Sequence, residues 1–493
     1  MRMERDLFAE GPAGPSGILR PGETCWRMAR AGRVALLHDG AAYFRAARAA
    51  MLRARASITL IGWSLDPRVR LTPDAAGAAG QETLAAFLQG LKAARPELAI
   101  RLLIWRMPWA FSLGNEMKPD RIRALLGPGI DYRPDASLPF GACQHQKILL
   151  IDDRLAFCGG SDFEANRWDT PAHRDRDARR RLPSGEGYPP RHDVMMAVDG
   201  PAARLLAALA RQRWQEGTGE VLAPAAPPPG PEDDPWPEGL APALEDVAVA
   251  VARTVPARGG GPALLESAAL YQAAIAAARR VIYLENQYFT APAIGAALAA
   301  RLAEPDGPEV VVVVSEHSPN AFDRLTMDSA RRGLILRLRR ADRFDRLRIV
   351  SPHTARSRPI LMHSKVAIFD DRILRVGSTN LNNRSLGYDT ECDLALEIPE
   401  GAARITQVLH GLLAHHAGLE REVFSAAVAA RGSLRQVLDD RLAAAPGRLC
   451  RVVPSRRGPL ARFVEGWHLG DPVGAADAWR PWRRPQALRR APD

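Results

Sequence analysis

The residue types that could do chemistry come as a matched pair. His145-Gln146-Lys147 is followed by Asp152, and His363-Ser364-Lys365 by Asp370. In both copies the His and Lys are two apart and the Asp stands five beyond the Lys. A small-residue turn closes each copy, Gly159-Gly160-Ser161-Asp162 and Gly377-Ser378-Thr379-Asn380. Two imidazoles and two ammonium groups meeting in one cleft suit a phosphodiester. The lysines would bind its non-bridging oxygens and the charge that builds on them. One imidazole would attack phosphorus and carry it as a phosphohistidine. The other, protonated, would give its proton to the leaving alcohol and take one from water or a second alcohol. Histidine, with an ordinary pKa of about 6.5, can play either part, and the spacing does not order the two. Lysine is a poor metal ligand and the carboxylate spacing suits none, so no metal and no cofactor are expected.

The elements that must position these groups also come twice. Each motif reads as a β-hairpin: a strand from Gln144 to Ile151, a turn at Asp152-Asp153-Arg154 and a return from Leu155 to Cys158, repeated through Asp370-Asp371-Arg372. Residues i and i+2 share a strand face, so His145 and Lys147 point one way, as do His363 and Lys365. Asp152 and Asp370 have the opposite parity. They complete the motif, and their place at the turn assigns them to fixing the hairpin. Each imidazole needs an orienting carboxylate on its second nitrogen. Asp193 is expected to serve the first motif and Glu391 the second.

The order around the motifs repeats as well. Helix 41–56, strand 58–63, helix 82–95, strand 99–105, helix 119–126 and a strand near 130–133 precede the first motif; strand 193–198 and helix 202–215 follow it. Helix 264–279, strand 281–284, helix 292–303, strand 309–315, helix 323–340 and a strand near 347–350 precede the second. Ile58 to His145 is 87 residues and Ile282 to His363 is 81. The expectation is an α/β protein of two duplicated lobes, mixed sheets flanked by helices, related by a pseudo-twofold axis with the site at their interface. The boundaries predicted are a leader at 1–40, lobes at 41–215 and 241–420, a Pro-rich linker at 216–240 and a helical, Arg/Trp-rich extension at 421–493.

The net charge is +11, and only four lysines occur, Lys92, Lys118, Lys147 and Lys365. A chain that uses arginine for generic cations keeps two of its four lysines for the motif, where a compact ammonium is wanted. The basic surface suits a polyanion such as a phospholipid surface. No apolar run reaches the length of a membrane span and no signal peptide opens the chain, which predicts a cytoplasmic protein or one peripheral at a membrane. Five scattered cysteines without metal spacing predict reduced thiols. In the tail, Trp467, Trp479 and Trp482 beside Arg480, Arg483, Arg484, Arg489 and Arg490 suit a lipid interface.

The duplicated His-x-Lys-x4-Asp resembles the phospholipase D superfamily, and its surroundings are similar to the phosphatidylcholine-type branch. The matching runs are HQKILLIDDRLAFCGGSDF (145–163), RWDTPAHR (167–174), HDVMMAVDGPAA (192–203), VARTVPA (251–257), IYLENQYF (282–289) and HSKVAIFDDRILRVGSTNLNNRSLGYDTECDLALE (363–397). The resemblance implies His145 as nucleophile, His363 as general acid and base, and Lys147, Lys365 and Asn380 as holders of the phosphate. Ser378 and Gly160, from the small-residue turns, are counted with Asn380. It implies hydrolysis of a glycerophospholipid such as phosphatidylcholine to phosphatidic acid and free alcohol, with transfer to another alcohol as a side reaction. The partners expected are a phospholipid at a membrane surface and no nucleic acid, with the chain a monomer that contains its own pseudo-dimer. A cardiolipin or other phospholipid synthase is the alternative on the same site; a nuclease and a non-catalytic polyanion-binding protein are the readings from other classes.

Overall fold

The structure, a computed structural model, describes residues 17–107, 116–225, 233–399, 403–445, 447–454, 463 and 470–474. The strands of the first half are β1 (Arg27–His38), β2 (Ser57–Gly62), β3 (Ala99–Trp105), β4 (Ile130–Asp135), β5 (Ile148–Ile151), β6 (Leu155–Gly159), β7 (Arg191–His192) and β8 (Val194–Asp199). Those of the second are β9 (Leu244–Val255), β10 (Leu264–Leu265), β11 (Val281–Asn286), β12 (Glu309–Val313), β13 (Leu347–Pro352), β14 (Leu361–Met362), β15 (Lys365–Phe369), β16 (Ile373–Gly377), β17 (Glu391–Glu397) and β18 (Leu449–Arg451).

Among the described residues, sixteen strands form one mixed sheet in the order β4-β3-β2-β5-β6-β8-β1-β9-β17-β16-β15-β11-β12-β13-β18, with β10 paired to β9. Read outward from the antiparallel β1–β9 pair, the two sides carry the same sequence of elements, so β5 answers β15, β6 answers β16 and β8 answers β17. The duplication is therefore built around one continuous sheet. The Glu309–Val313 run EVVVV lies between two parallel neighbours and is buried on both faces, which its unbroken valines require.

Helices cover both faces. On one face a single core spans both halves, joining helix Gly200–Thr218 to helices Ala403–Ala417, Arg421–Arg431 and Leu434–Ala444. On the other, each half has its own core. Helices Asp39–Arg53, Leu84–Ala94 and Pro119–Leu126 serve the first, and helices Glu266–Ala277, Pro292–Ala303 and Ser329–Ala341 the second.

The expected leader at 1–40 needs correction. Its residues 27–38 are β1, the strand at which the halves join. Small residues and arginines hid its alternation; Ala29, Ala31 and Val34 enter the core shared by the halves, and Ala35 and Leu37 the first half's own core. The partner strand β9, Leu244–Val255, was equally unread. The expected extension contributes two helices to the shared core and adds β18 to the sheet edge. The Trp/Arg tail, from Trp467 and Trp479 to Arg490, lies outside the described residues. Among the described residues no helix is long and apolar enough to cross a membrane.

Candidate active site

The two motifs meet because each half feeds the other. The segment leading into β5 does not extend its own ladder; Gln144 bridges Thr390 in parallel, and the His145 amide donates to the Thr390 carbonyl at 3.1 Å. In the second half β14 pairs in parallel with β7, and the His363 amide donates to the His192 carbonyl at 2.8 Å. The predicted strand from Gln144 accordingly begins only at Ile148. The residue after each accepting carbonyl is a carboxylate, Glu391 after Thr390 and Asp193 after His192.

That crossing corrects the expected pairing. His145 Nδ1 lies 2.9 and 3.0 Å from the Glu391 oxygens, and His363 Nδ1 lies 2.8 Å from Asp193 Oδ2. Each imidazole is oriented by the carboxylate of the other half. With Nδ1–H donating to a carboxylate, Nε2 keeps its lone pair for chemistry. His145, Lys147, His363 and Asn380 line one cavity of about 940 Å³.

Burial and the neighbouring cations Lys147 and Lys365 hold the His145 imidazole well below its usual range, favouring the neutral nucleophilic form. Burial, Lys365, Arg191 and Arg167 do the same to His363 and make it a stronger acid once protonated. Burial raises the Glu391 and Asp193 carboxyls. Burial, with Lys147 and Arg191 close by, lowers Lys365 to about 7 against the pull of Asp193. A phosphodiester anion entering the cavity would restore its charge.

The lysines differ in company. Lys147 Nζ stands 3.1 Å from Asp162 Oδ2, whose other oxygen accepts from the Trp63 amide at 2.9 Å. Lys365 Nζ donates to Gln287 Oε1 at 3.1 Å and to the His363 carbonyl. Asn380, the counterpart of Asp162, lines the cavity and its buried Oδ1 accepts no hydrogen bond.

The two turn residues counted as phosphate contacts are placed otherwise. Ser378 Oγ donates to Glu391 Oε2 and accepts from the Cys392 amide at 3.0 Å, so it holds the orienting carboxylate. A Cβ on Gly160 would fall 2.1 Å from Asp193 Oδ1 and 2.9 Å from the His363 carbonyl; this glycine leaves room for that carboxylate. Asp152 accepts from the amides of Arg55, Ala56 and Ser57, and Asp370 from those of Arg279, Arg280 and Val281. Both sit at positive φ, 54° and 56°, and tie the hairpin turn to the start of the neighbouring strand. They are motif residues without access to the cavity.

Several cavity residues had no assigned role: Arg167, Arg191, Trp63, Trp105, Tyr288 and Asp389. Arg167 and Tyr288 lie inside the quoted runs, and Arg191 and Asp389 each stand two residues before an orienting carboxylate; that offset was the available signal. Behind the site, His192 Nδ1 lies 2.8 Å from Asp39 Oδ1 and its Nε2 2.9 Å from Glu285 Oε1, a buried clamp between the halves. Asp39, His173, His192 and His415 are close enough together to hold a metal ion, and none of them lines the reaction cavity.

A family model described as "Cardiolipin synthase, PLD-like domain" matches residues 271–413. Phospholipase D A of Dictyostelium discoideum is 25% identical over 75% of this chain and 33% of its own length. Cardiolipin synthase A of Yersinia pseudotuberculosis is 26% identical over 57% of this chain and 50% of its own. The alignments thus span between a third and a half of these relatives. Among solved structures, phosphatidylserine synthase of Haemophilus influenzae shares the fold, with a TM-score of 0.53 at 13% identity, covering 82% of this chain and 94% of that one.

Proposed function

Because this chain belongs to the phospholipase D superfamily, we propose that it cleaves the distal phosphodiester of a glycerophospholipid through a phosphohistidine and passes the phosphatidyl group to water or an alcohol. One observation carries this reading: two imidazoles, each anchored through Nδ1 by the opposite half, share one cavity with Lys147 and Asn380.

His145 Nε2 attacks phosphorus, the phosphorus–oxygen bond to the leaving alcohol breaks, and the proton on His363 Nε2 goes to that oxygen. In the second step water or an alcohol attacks, its proton passes to His363, and the phosphorus–nitrogen bond breaks. Lys147, Lys365 and the Asn380 amide stabilise the charge on the non-bridging oxygens in both transition states. Asp193 and Glu391 fix the tautomers and stabilise each imidazolium as it forms. The assignment of nucleophile to His145 follows the family resemblance.

A lipid substrate is supported by the cavity rim, where the apolar Phe322 is 61% exposed. Two outcomes are open to the phosphatidyl-enzyme, hydrolysis or transfer to a lipid alcohol, and the likeness to cardiolipin synthases supports the second. The test is incubation with mixed phosphatidylcholine, phosphatidylethanolamine and phosphatidylglycerol vesicles, with and without ethanol. Phosphatidic acid is expected from hydrolysis, phosphatidylethanol from transfer to ethanol and cardiolipin from transfer to phosphatidylglycerol; no phospholipid product of any kind would reject the reading.

A further inference from the structure

The duplication gives each cavity residue a counterpart, and at one place the counterparts differ in sign. Gln144 bridges Thr390 as Met362 pairs with His192, so Asp389 and Arg191 hold equivalent positions, each two residues before the orienting carboxylate. Arg384 and Arg167 likewise follow the two small-residue turns, four residues after Asn380 and five after Asp162. In the second half Arg384 and Asp389 make an ion pair at 2.7 and 3.0 Å. In the first half the same place holds two arginines.

Arg167 and Arg191 are 8% and 6% exposed, and both line the cavity. Their Nε atoms are buried without a hydrogen-bond partner. Among the described residues neither guanidinium has a carboxylate within ion-pairing distance: Asp193 is engaged by His363, and Asp169 meets Arg191 only through its backbone amide. The carboxylates that act on them from farther off are Asp193, on Arg191, and Glu164, on both; two adjacent buried cations with no carboxylate in direct contact are unfavourable unless something anionic joins them. The reaction-centre phosphate is already served by Lys147, Lys365 and Asn380. The arginines stand on the His363 side, since Arg191 and Arg167 act on the His363 imidazole, whereas the carboxylates Asp389 and Asp162 act on His145.

We propose that Arg167 and Arg191 form a second anion site in the cavity, which binds a phosphate carried by the alcohol that leaves or accepts the phosphatidyl group. This rests on the reading of His363 as the general acid and base, because leaving and accepting alcohols both pass beside that group. The guanidinium forks match a phosphate bidentately. An alcohol such as glycerol phosphate, or the head-group alcohol of phosphatidylglycerol, would be held with its hydroxyl toward His363 Nε2. A choline on that side would meet like charge.

The experiment measures partition of the phosphoenzyme, which does not depend on how much enzyme is active. The full chain is given bis(p-nitrophenyl) phosphate with equal concentrations of glycerol and glycerol 3-phosphate, and the transfer products are quantified by mass spectrometry. Transfer to glycerol 3-phosphate is expected to exceed transfer to glycerol by at least about tenfold, with choline below both. In Arg167→Gln and Arg191→Gln the ratio should fall to about unity. Vesicles of phosphatidylglycerol against vesicles of phosphatidylethanolamine, as acceptor surfaces, separate a lipid-borne phosphate from a soluble one. Equal use of both glycerols by the wild type, or a ratio unchanged in the variants, would overturn the site. If no nitrophenol is released at all, the functional reading fails on its own, and binding judges the arginines. In a Lys147→Gln/Lys365→Gln background inorganic phosphate should still bind and should cease to bind on adding Arg191→Gln; no binding in that background would reject the site.

Discussion

The two halves of the active site share a backbone and differ in charge. Around His145 the polar groups are matched: Lys147 faces Asp162, Arg384 faces Asp389, and the long Glu391 is gripped by Ser378. Trp63 and Trp105 stack with ring centroids 6.1 Å apart and line this side. Around His363 the cations are left over: Lys365 donates to the neutral Gln287, Arg167 and Arg191 have, among the described residues, no carboxylate within ion-pairing distance, and the shorter Asp193 is seated against Gly160. Duplication supplied two equivalent imidazole sites. Substitution at a few matched positions then made one self-neutralised and the other dependent on an incoming anion. That is how a symmetric frame can hold two imidazoles with different tasks.

The largest effect that would sharpen this contrast comes from the imidazoles themselves. His145→Ala should reduce turnover to background, since it removes the imidazole assigned to carry the phosphoryl group and leaves His363 with the proton transfers. His363→Ala should still release nitrophenol from an activated diester, which needs no acid, and should accumulate a phosphoenzyme. Locating that phosphate by mass spectrometry on residue 145 supports the division of roles; measurable hydrolysis by His145→Ala would undo it.

Next come the crossed carboxylates. Glu391→Gln and Asp193→Asn should each lower kcat by roughly 10²–10⁴-fold, because the amide no longer stabilises the imidazolium or fixes its tautomer. If the pairing is crossed, Glu391→Gln slows phosphoenzyme formation through His145, while Asp193→Asn slows both steps through His363. Pre-steady-state bursts separate the two cases, and the reverse pattern would contradict the geometry.

A smaller effect follows from the seat of Asp193. Gly160→Ala forces a Cβ to within 2.1 Å of Asp193 Oδ1 and should cost about 1–3 kcal/mol of stability as well as activity. Ser378→Ala, in the matched position, opens space and should cost activity through Glu391 with less loss of stability. Thermal denaturation of the pair reads the difference.

Lys365 gives a pH test. With its pKa lowered to about 7, it carries charge below that pH and sheds it above. Binding of dimethyl phosphate, monoanionic throughout, should weaken as pH rises through about 7, and Lys365→Met should flatten that dependence. A wild-type inhibition constant that is level from pH 6 to 9 would count against the shift. The smallest catalytic effect is expected at the turns. Asp152→Asn removes charge from a carboxylate that collects three backbone amides, costing about 1–3 kcal/mol of stability while turnover per folded molecule stays near wild type.

Much of this was legible in the chain. The periodic helices Pro119–Leu126 and Pro292–Ala303 and the strand Ala99–Trp105 fall where periodicity placed them, because their patterns are local and strong. The duplicated motif named the two imidazoles and two ammonium groups, since residue type and spacing alone state what chemistry they could do. The joining strands β1 and β9 were not legible: their alternation is weak, and what makes them strands is the pairing of one half with the other. The partner of each histidine was not legible either. Spacing suggested a carboxylate of the same half. The parallel bridge from Gln144 to Thr390 and the pairing of β14 with β7 carry each motif across the seam and exchange the partners. Ser378 and Gly160 were misread for the same reason, since only the folded chain shows that one grips a carboxylate and the other makes room for one. Sequence determined which groups this protein can bring to a phosphate. Which group faces which was left to contacts between residues some 170 to 246 positions apart, and those exist only once the sheet has closed.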